Sequence, residues 1–170
     1  CIRDRDQAYP FVRESVVAFG FPDILFQPDD AFIKLFSKQA KTKADLVLGL
    51  FPAHQPHKMD MVKLDTDGKI RGIQIKPVRT NLRYTWIIAV WTPIFTDFMH
   101  EFILTHPITN DRGQDAGEVD PSTELFIGNV IHEAVNNDLL IESVVFSNGT
   151  YLDIGTPGDL IKAVSRDPAV

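Results

Sequence analysis

Two stretches of this chain are apolar on nearly every residue rather than on every second one. Ala44 to Pro52 reads Ala-Asp-Leu-Val-Leu-Gly-Leu-Phe-Pro, and Tyr84 to Trp91 reads Tyr-Thr-Trp-Ile-Ile-Ala-Val-Trp. A strand that faces water on one side alternates apolar and polar residues, so an unbroken apolar run marks a strand covered on both faces. Such strands require helices or further layers above and below the sheet. The rest of the chain supplies them: Asp29 and Asp30 can cap a helix with Phe32, Ile33, Leu35 and Phe36 inward and Lys34, Lys38 and Lys41 outward. Further helices are predicted near residues 9–19, after Pro93 (Phe95, Phe98, Met99 and Phe102 at helical spacing), over about Thr123 to Asn137, and from Thr156 onward. Buried strands alternating with amphipathic helices predict one α/β domain over residues 1–170, with a mixed, mainly parallel sheet flanked by helices.

Turn chemistry divides the remaining strands. Met61 to Leu64 and Ile70 to Ile75 flank Asp65-Thr66-Asp67-Gly68, a hairpin signal. Leu140 to Phe146 and Thr150 to Ile154 flank Asn148-Gly149, which reads as a second hairpin turn rather than a glycosylation site. Thr105 to Ser122 is polar and glycine-containing, a long loop. His54 and His57 lie between Pro52 and Pro56 or just beyond them, without neighbouring cysteine, and are not a zinc signature.

Charge and cysteine content exclude some functions. The net charge is -6 and no basic block stands out, which argues against a nucleic-acid binder. No stretch is apolar enough to span a bilayer, and the single cysteine, Cys1, points to a reducing, cytoplasmic setting. The chain begins without Met, as expected for a sequence that starts inside a longer reading frame.

The segment with most chemical content is Tyr151-Leu152-Asp153-Ile154-Gly155-Thr156-Pro157-Gly158-Asp159-Leu160. A short strand ends in an acid, a glycine permits a bend, and a helix opens with Thr as its cap, Pro at its first position and an acid three residues after the cap. Ligands of α/β sheets collect just beyond strand ends, and an acid placed there suits a hard cation such as Mg²⁺.

This segment closely resembles the Trp-x-Asp-x-Gly-Thr-Pro signature of the sugar-phosphate nucleotidyltransferases, glucose-1-phosphate thymidylyltransferases among them. Other segments match in the same order: Asp23 at the end of a central strand, Ala44 to Leu50, the hairpin Leu64 to Ile70, Ile75-Lys76-Pro77 for a Glu-Lys-Pro motif, then Asn81 and Glu124. The resemblance spans about residues 19–165. It implies a Rossmann-like nucleotidyltransferase fold and transfer of a nucleotide from a nucleoside triphosphate, of thymidine or uridine type, to a sugar 1-phosphate with release of pyrophosphate. By resemblance, Asp23 and Asp153 are the catalytic, Mg²⁺-holding pair, Lys76 binds the sugar phosphate, and Asn81 and Glu124 contact sugar hydroxyls. It also leaves room for a homo-oligomer.

Departures from the pattern matter as much. Ile75 replaces the acid of Glu-Lys-Pro, Met59-Asp60 stands where many members have Tyr-Gly, Trp86-Ile87 where a glycine is common, and Pro22 where Gly precedes the first Asp. The family's N-terminal Gly-rich, Arg- and Lys-containing loop has no counterpart, Gly20 being the one glycine before Gly49. The expectation is therefore an incomplete, C-terminal part of such a domain, inactive by itself. Two other readings remain: a non-catalytic sugar-phosphate-binding or interaction module on the same scaffold, and a metal-dependent glycosyltransferase using Asp65 and Asp67.

Overall fold

The computed structural model describes residues 2–106 and 125–165. In chain order the elements are α1 (Ile2–Asp6), α2 (Tyr9–Val12), β1 (Val17–Gly20), β2 (Ile24–Gln27), α3 (Ala31–Thr42), β3 (Leu46–Pro52), a single 3₁₀ turn (Pro56–Lys58), β4 (Met61–Leu64), β5 (Ile70–Gln74), β6 (Tyr84–Trp91), α4 (Pro93–Thr105), α5 (Ile127–Asn136), β7 (Ile141–Val145), β8 (Thr150–Asp153) and α6 (Pro157–Ser165). The two apolar runs are central neighbours, as their patterning requires. Strand β6 lies between β3 and β4 in the order β5-β4-β6-β3-β7, with β1 also paired to β6.

Successive residues of β3 feed two cores. Leu46, Leu48 and Leu50 point into one, with Trp91, Phe95, Val130 and Ile131; Val47 and Phe51 point into the other, with Leu35, Ile88 and Phe146. Helices cover both sides, so no face of β3 meets water and its leucines and valine are fully buried. At roughly 25 cal/mol per Å², burial on this scale is the main stabilising contribution of the sheet.

The expected mixed sheet with flanking helices is present, but its strand directions correct the mainly parallel expectation. Among the described strands β3 and β7 pair in parallel, whereas β1–β6, β3–β6, β4–β5 and β4–β6 are antiparallel. A buried apolar run reports coverage on both faces and says nothing about direction, which depends on the connections.

Other local expectations shift. The helix predicted over residues 9–19 stops at Val12; a turn closes from the Ser15 N–H to the Val12 carbonyl (2.9 Å), and Val17–Gly20 pairs along β6 instead. Tertiary pairing overrides a weak periodic signal there. In α3, Ala31 and Leu35 are buried while Ile33 and Phe36 are 68% and 42% exposed, so the inward face is narrower than its apolar residues suggest. Asp30 does not cap α3 through its side chain but pairs with Lys34 at 2.9 Å. The Asn148-Gly149 turn exists, closed by the Gly149 N–H on the Phe146 carbonyl (2.8 Å), yet it is no hairpin: β7 joins the main sheet and β8 pairs with β2 in a separate ribbon. Helix α5 begins at Ile127, and the loop expected over Thr105 to Ser122 lies almost entirely outside the described residues.

One irregularity shapes the site. Gly49 faces Ile88 and Leu50 faces Trp86, so Ile87 is an extra residue on β6, a β-bulge. Ile87 and Ile88 consequently point into the same core, and Trp86 is carried to the other face with Ala89 and Trp91. Gly49 makes the bulge feasible: a Cβ there would sit 2.5 Å from Ile88 Cγ1.

Candidate active site

Strands β2 and β8 pair antiparallel with Ile24 opposite Asp153, and the Ile154 N–H donates to the Asp23 carbonyl at 2.8 Å. This register brings Asp23 and Asp153 to the same end of the ribbon although they are far apart in sequence. The chain bends immediately after, and the Gly155 N–H donates to Asp153 Oδ1 at 2.8 Å. A Cβ on Gly155 would lie 2.8 Å from Asp23 Oδ2 and 3.1 Å from Asp153 Oδ1. Both carboxylates therefore border one space that the missing side chain leaves open. The donor chemistry of that space, two carboxylate oxygens with room for waters, fits a hard divalent cation. Among the described residues no group of three or more His, Cys, Asp or Glu side chains could hold a metal.

Helix α6 starts as its sequence predicts. Thr156 Oγ1 accepts from the Asp159 N–H (3.2 Å) and donates to Asp159 Oδ2 (2.7 Å), which fastens the turn that follows the acid pair.

Asp23 and Asp153 stand on the rim of a cleft of about 220 Å³ whose lining also includes Lys76, Asp60, Trp86 and Phe126. Three residues predicted for one site, Asp23, Asp153 and Lys76, thus share it. Lys76 adopts a positive φ of 38° just past β5, and its ammonium lies 4.3 Å from the centroid of the Phe126 ring. Phe126 precedes α5, where its N–H is held by Asn129 Oδ1 at 2.8 Å. Phe21, 5.3 Å from Trp86 between ring centroids, adds apolar wall.

The structure does not bring every expected residue in. Asn81 is exposed in the loop between β5 and β6, outside the residues that line the cleft. That loop closes on itself, Thr80 Oγ1 donating to Gln74 Oε1 (3.1 Å) and accepting from the Leu82 N–H (3.1 Å). Glu124 lies outside the described residues. Asp65 serves its turn: Oδ1 accepts from the backbone N–H groups of Lys69 and Asp67, each at 2.9 Å, and Oδ2 pairs with Arg71 at 2.7 Å. The Lys69 N–H above all, with the Arg71 side chain and the Asp67 N–H, holds its carboxyl below the usual range against an opposing desolvation. Asp67 is exposed on the same turn, away from the cleft, as a hairpin reading demands.

Two cleft residues carry chemistry that the motif comparison treated only as departures. Asp60 lies just before β4, and burial pushes its carboxyl up, opposed by the charge and backbone N–H of Lys76. Trp86 is 2% exposed. The hairpin register could have located Asp60: Met61 pairs with Gln74, so counting outward sets Asp60 across from Ile75, the position that lacks the expected acid. Trp86 had no such signal, because its facing depends on the bulge.

No protein-family model matches the chain, and no relative is found among curated proteins. Solved structures do resemble it. A protein described as a glucose-1-phosphate thymidylyltransferase from Bacillus anthracis superposes with a TM-score of 0.70 at 17% identity, over 98% of this chain and 61% of the other. A UTP-bound UGPase from Acinetobacter baumannii gives 0.67 at 15% identity, over 96% and 54%. The inositol-1-phosphate CTP transferase of T. maritima gives 0.67 at 19%, over 95% and 58%. The chain spans little more than half the length of these proteins. Its mixed α/β sheet and flanking helices have the fold that these sugar-phosphate nucleotidyltransferases share.

Proposed function

We propose that this chain carries the metal and sugar-phosphate side of a nucleotidyltransferase site, in which a sugar 1-phosphate attacks the α-phosphorus of a nucleoside triphosphate and pyrophosphate leaves. The observation that carries this reading is the pairing of Asp23 and Asp153 around Gly155, on the rim of the cleft that Lys76 lines. Asp23 and Asp153 would hold Mg²⁺. When bound, the ion would supply charge neutralisation and a common template for two phosphates that otherwise repel. Lys76 faces the phosphate of the sugar as a point charge, and the bend at Gly155, fastened by Thr156 and Asp159, holds the acid pair in place. Phe21 and Phe126 supply an apolar wall beside these polar groups, against which the body of a substrate can pack. The neighbours named for glucose 1-phosphate, inositol 1-phosphate, UTP and CTP support a phosphorylated polyol and a nucleoside triphosphate as substrates, the thymidine or uridine type resting on the motif resemblance.

Binding is the suitable readout for this chain. Electron paramagnetic resonance with Mn²⁺ as the probe should show one bound ion, with affinity reduced on the order of a hundredfold in Asp23→Asn and in Asp153→Asn, each removing a charged ligand. Lys76→Met should leave Mn²⁺ binding intact and weaken glucose 1-phosphate about tenfold or more. Wild-type Mn²⁺ affinity in both acid variants would remove the basis of the reading.

A further inference from the structure

Two buried polar atoms of the cleft residues have no hydrogen-bond partner among the described residues: Oδ1 of Asp60 and Nε1 of Trp86. Buried polar groups are almost always paired, and leaving one unpaired costs roughly 1–3 kcal/mol. Both residues line the same cleft as Lys76. Nearby polar groups are satisfied; the Thr85 hydroxyl, between the two in the sheet, donates to the Asp60 carbonyl at 2.9 Å. Each of the two side chains is also held by a specific accommodation. Asp60 Oδ2 would be 2.5 Å from a Cβ at position 128, so Gly128 is what admits the carboxylate. Trp86 reaches this face only through the bulge that Gly49 permits. A packing role for Trp86 would be met equally by phenylalanine without the unpaired atom, and the carboxyl of Asp60, although it takes the Lys76 backbone N–H, keeps Oδ1 without a partner.

The two atoms are complementary: an ionised Asp60 only accepts, and an indole N–H only donates. A hydroxyl both donates and accepts, so one hydroxyl or an adjacent pair suits both, whereas an apolar compound pairs neither and the charge of inorganic phosphate is repelled by an ionised Asp60. We propose that Asp60 and Trp86 are specificity-determining residues that read hydroxyl groups of a phosphorylated polyol in this cleft, Asp60 accepting from a hydroxyl and Trp86 donating to one, with the phosphate toward Lys76. The proposal rests on the sugar-phosphate reading of the cleft. It assigns the hydroxyl-binding acid to β4, across the hairpin from Ile75. Sites built to pair buried groups with substrate hydroxyls discriminate strongly, because a ligand without the hydroxyl leaves those groups unpaired.

The test measures binding of glucose 1-phosphate, inositol 1-phosphate and inorganic phosphate to the full chain by calorimetry, in wild type, Trp86→Phe and Asp60→Asn, with urea unfolding as a check. Each variant should weaken the tighter polyol phosphate about tenfold or more without weakening inorganic phosphate, which Asp60→Asn, by removing a negative charge facing Lys76, can only hold or tighten. Neither should be less stable than wild type without ligand. Undiminished polyol-phosphate binding in both variants overturns the proposal while leaving the Lys76 assignment standing. So does an equal loss for inorganic phosphate, or a destabilised ligand-free protein, since either marks a structural role. If wild type binds a polyol phosphate no more tightly than inorganic phosphate, hydroxyl reading fails; if it binds none of the three, the sugar-phosphate reading fails with it.

Discussion

The two walls of the cleft are built on opposite principles. On the β2–β8 side the acids Asp23 and Asp153 are exposed, and short backbone hydrogen bonds at Ile154 and Gly155 hold the turn they flank. On the β4–β6 side Trp86 is buried and Asp60 half-buried, each with one buried atom that has no partner among the described residues. The first wall can change its side-chain chemistry with little effect on folding. The second is destabilising in the ligand-free protein and depends on two glycines, Gly49 and Gly128, whose absent side chains leave space for it. A region that the fold tolerates at a cost is a better pointer to ligand recognition than one that folding stabilises.

The largest effect should come from closing the space beneath the bulge. Gly49→Ala sets a Cβ against buried Ile88 and should cost about 2–3 kcal/mol in urea denaturation, since the neighbour is fully packed. A loss below about 0.5 kcal/mol would mean that β6 can slip its register and that the second wall is only loosely constrained. On the first wall, Gly155→Ala pushes a Cβ between two exposed carboxylates that can swing aside, so stability should hardly change while Mn²⁺ affinity falls about tenfold. Equal Mn²⁺ affinity there would show that the ion, if bound, does not use that space.

Asp60→Asn sharpens the contrast through pH. Because burial raises the folded-state pKa of Asp60, its ionisation opposes folding: the penalty is absent below the unfolded pKa, grows as pH rises, and is complete above the folded pKa. The variant should therefore be about 1 kcal/mol more stable than wild type near pH 7, with the gain shrinking as pH is lowered toward 4. A gain that stays constant across that range would exclude ionisation as its cause. The smallest change expected is in Thr156→Ala, which removes an exposed helix cap and should lower stability by about 0.5 kcal/mol in the same denaturation assay.

Much of this was legible from residues alone, for reasons that differ by segment. The apolar runs at Ala44–Pro52 and Tyr84–Trp91 announced covered central strands because burial on both faces leaves no position for a polar residue. The Asp65-Thr66-Asp67-Gly68 turn and the Thr156-Pro157 helix start were readable because each is satisfied within a few residues of itself. Failures fell where the deciding contact is distant. The stretch at residues 9–19 lost most of its predicted helix to pairing with β6. Asp60 was visible only as a departure, since its importance depends on facing Ile75 and Lys76 across a hairpin.

The sequence by itself determined which strands are central, where tight turns and helix starts occur, and that an acid ends β8 beside a glycine. Those properties follow from burial period and from hydrogen bonds closed within a single turn. Only the tertiary structure decided that Asp23 and Asp153 meet, through the register of β2 on β8, and that Trp86 faces the cleft, through one extra residue in β6. Register and bulge position depend on packing between segments tens of residues apart, and a one-residue change in either turns a side chain to the opposite face.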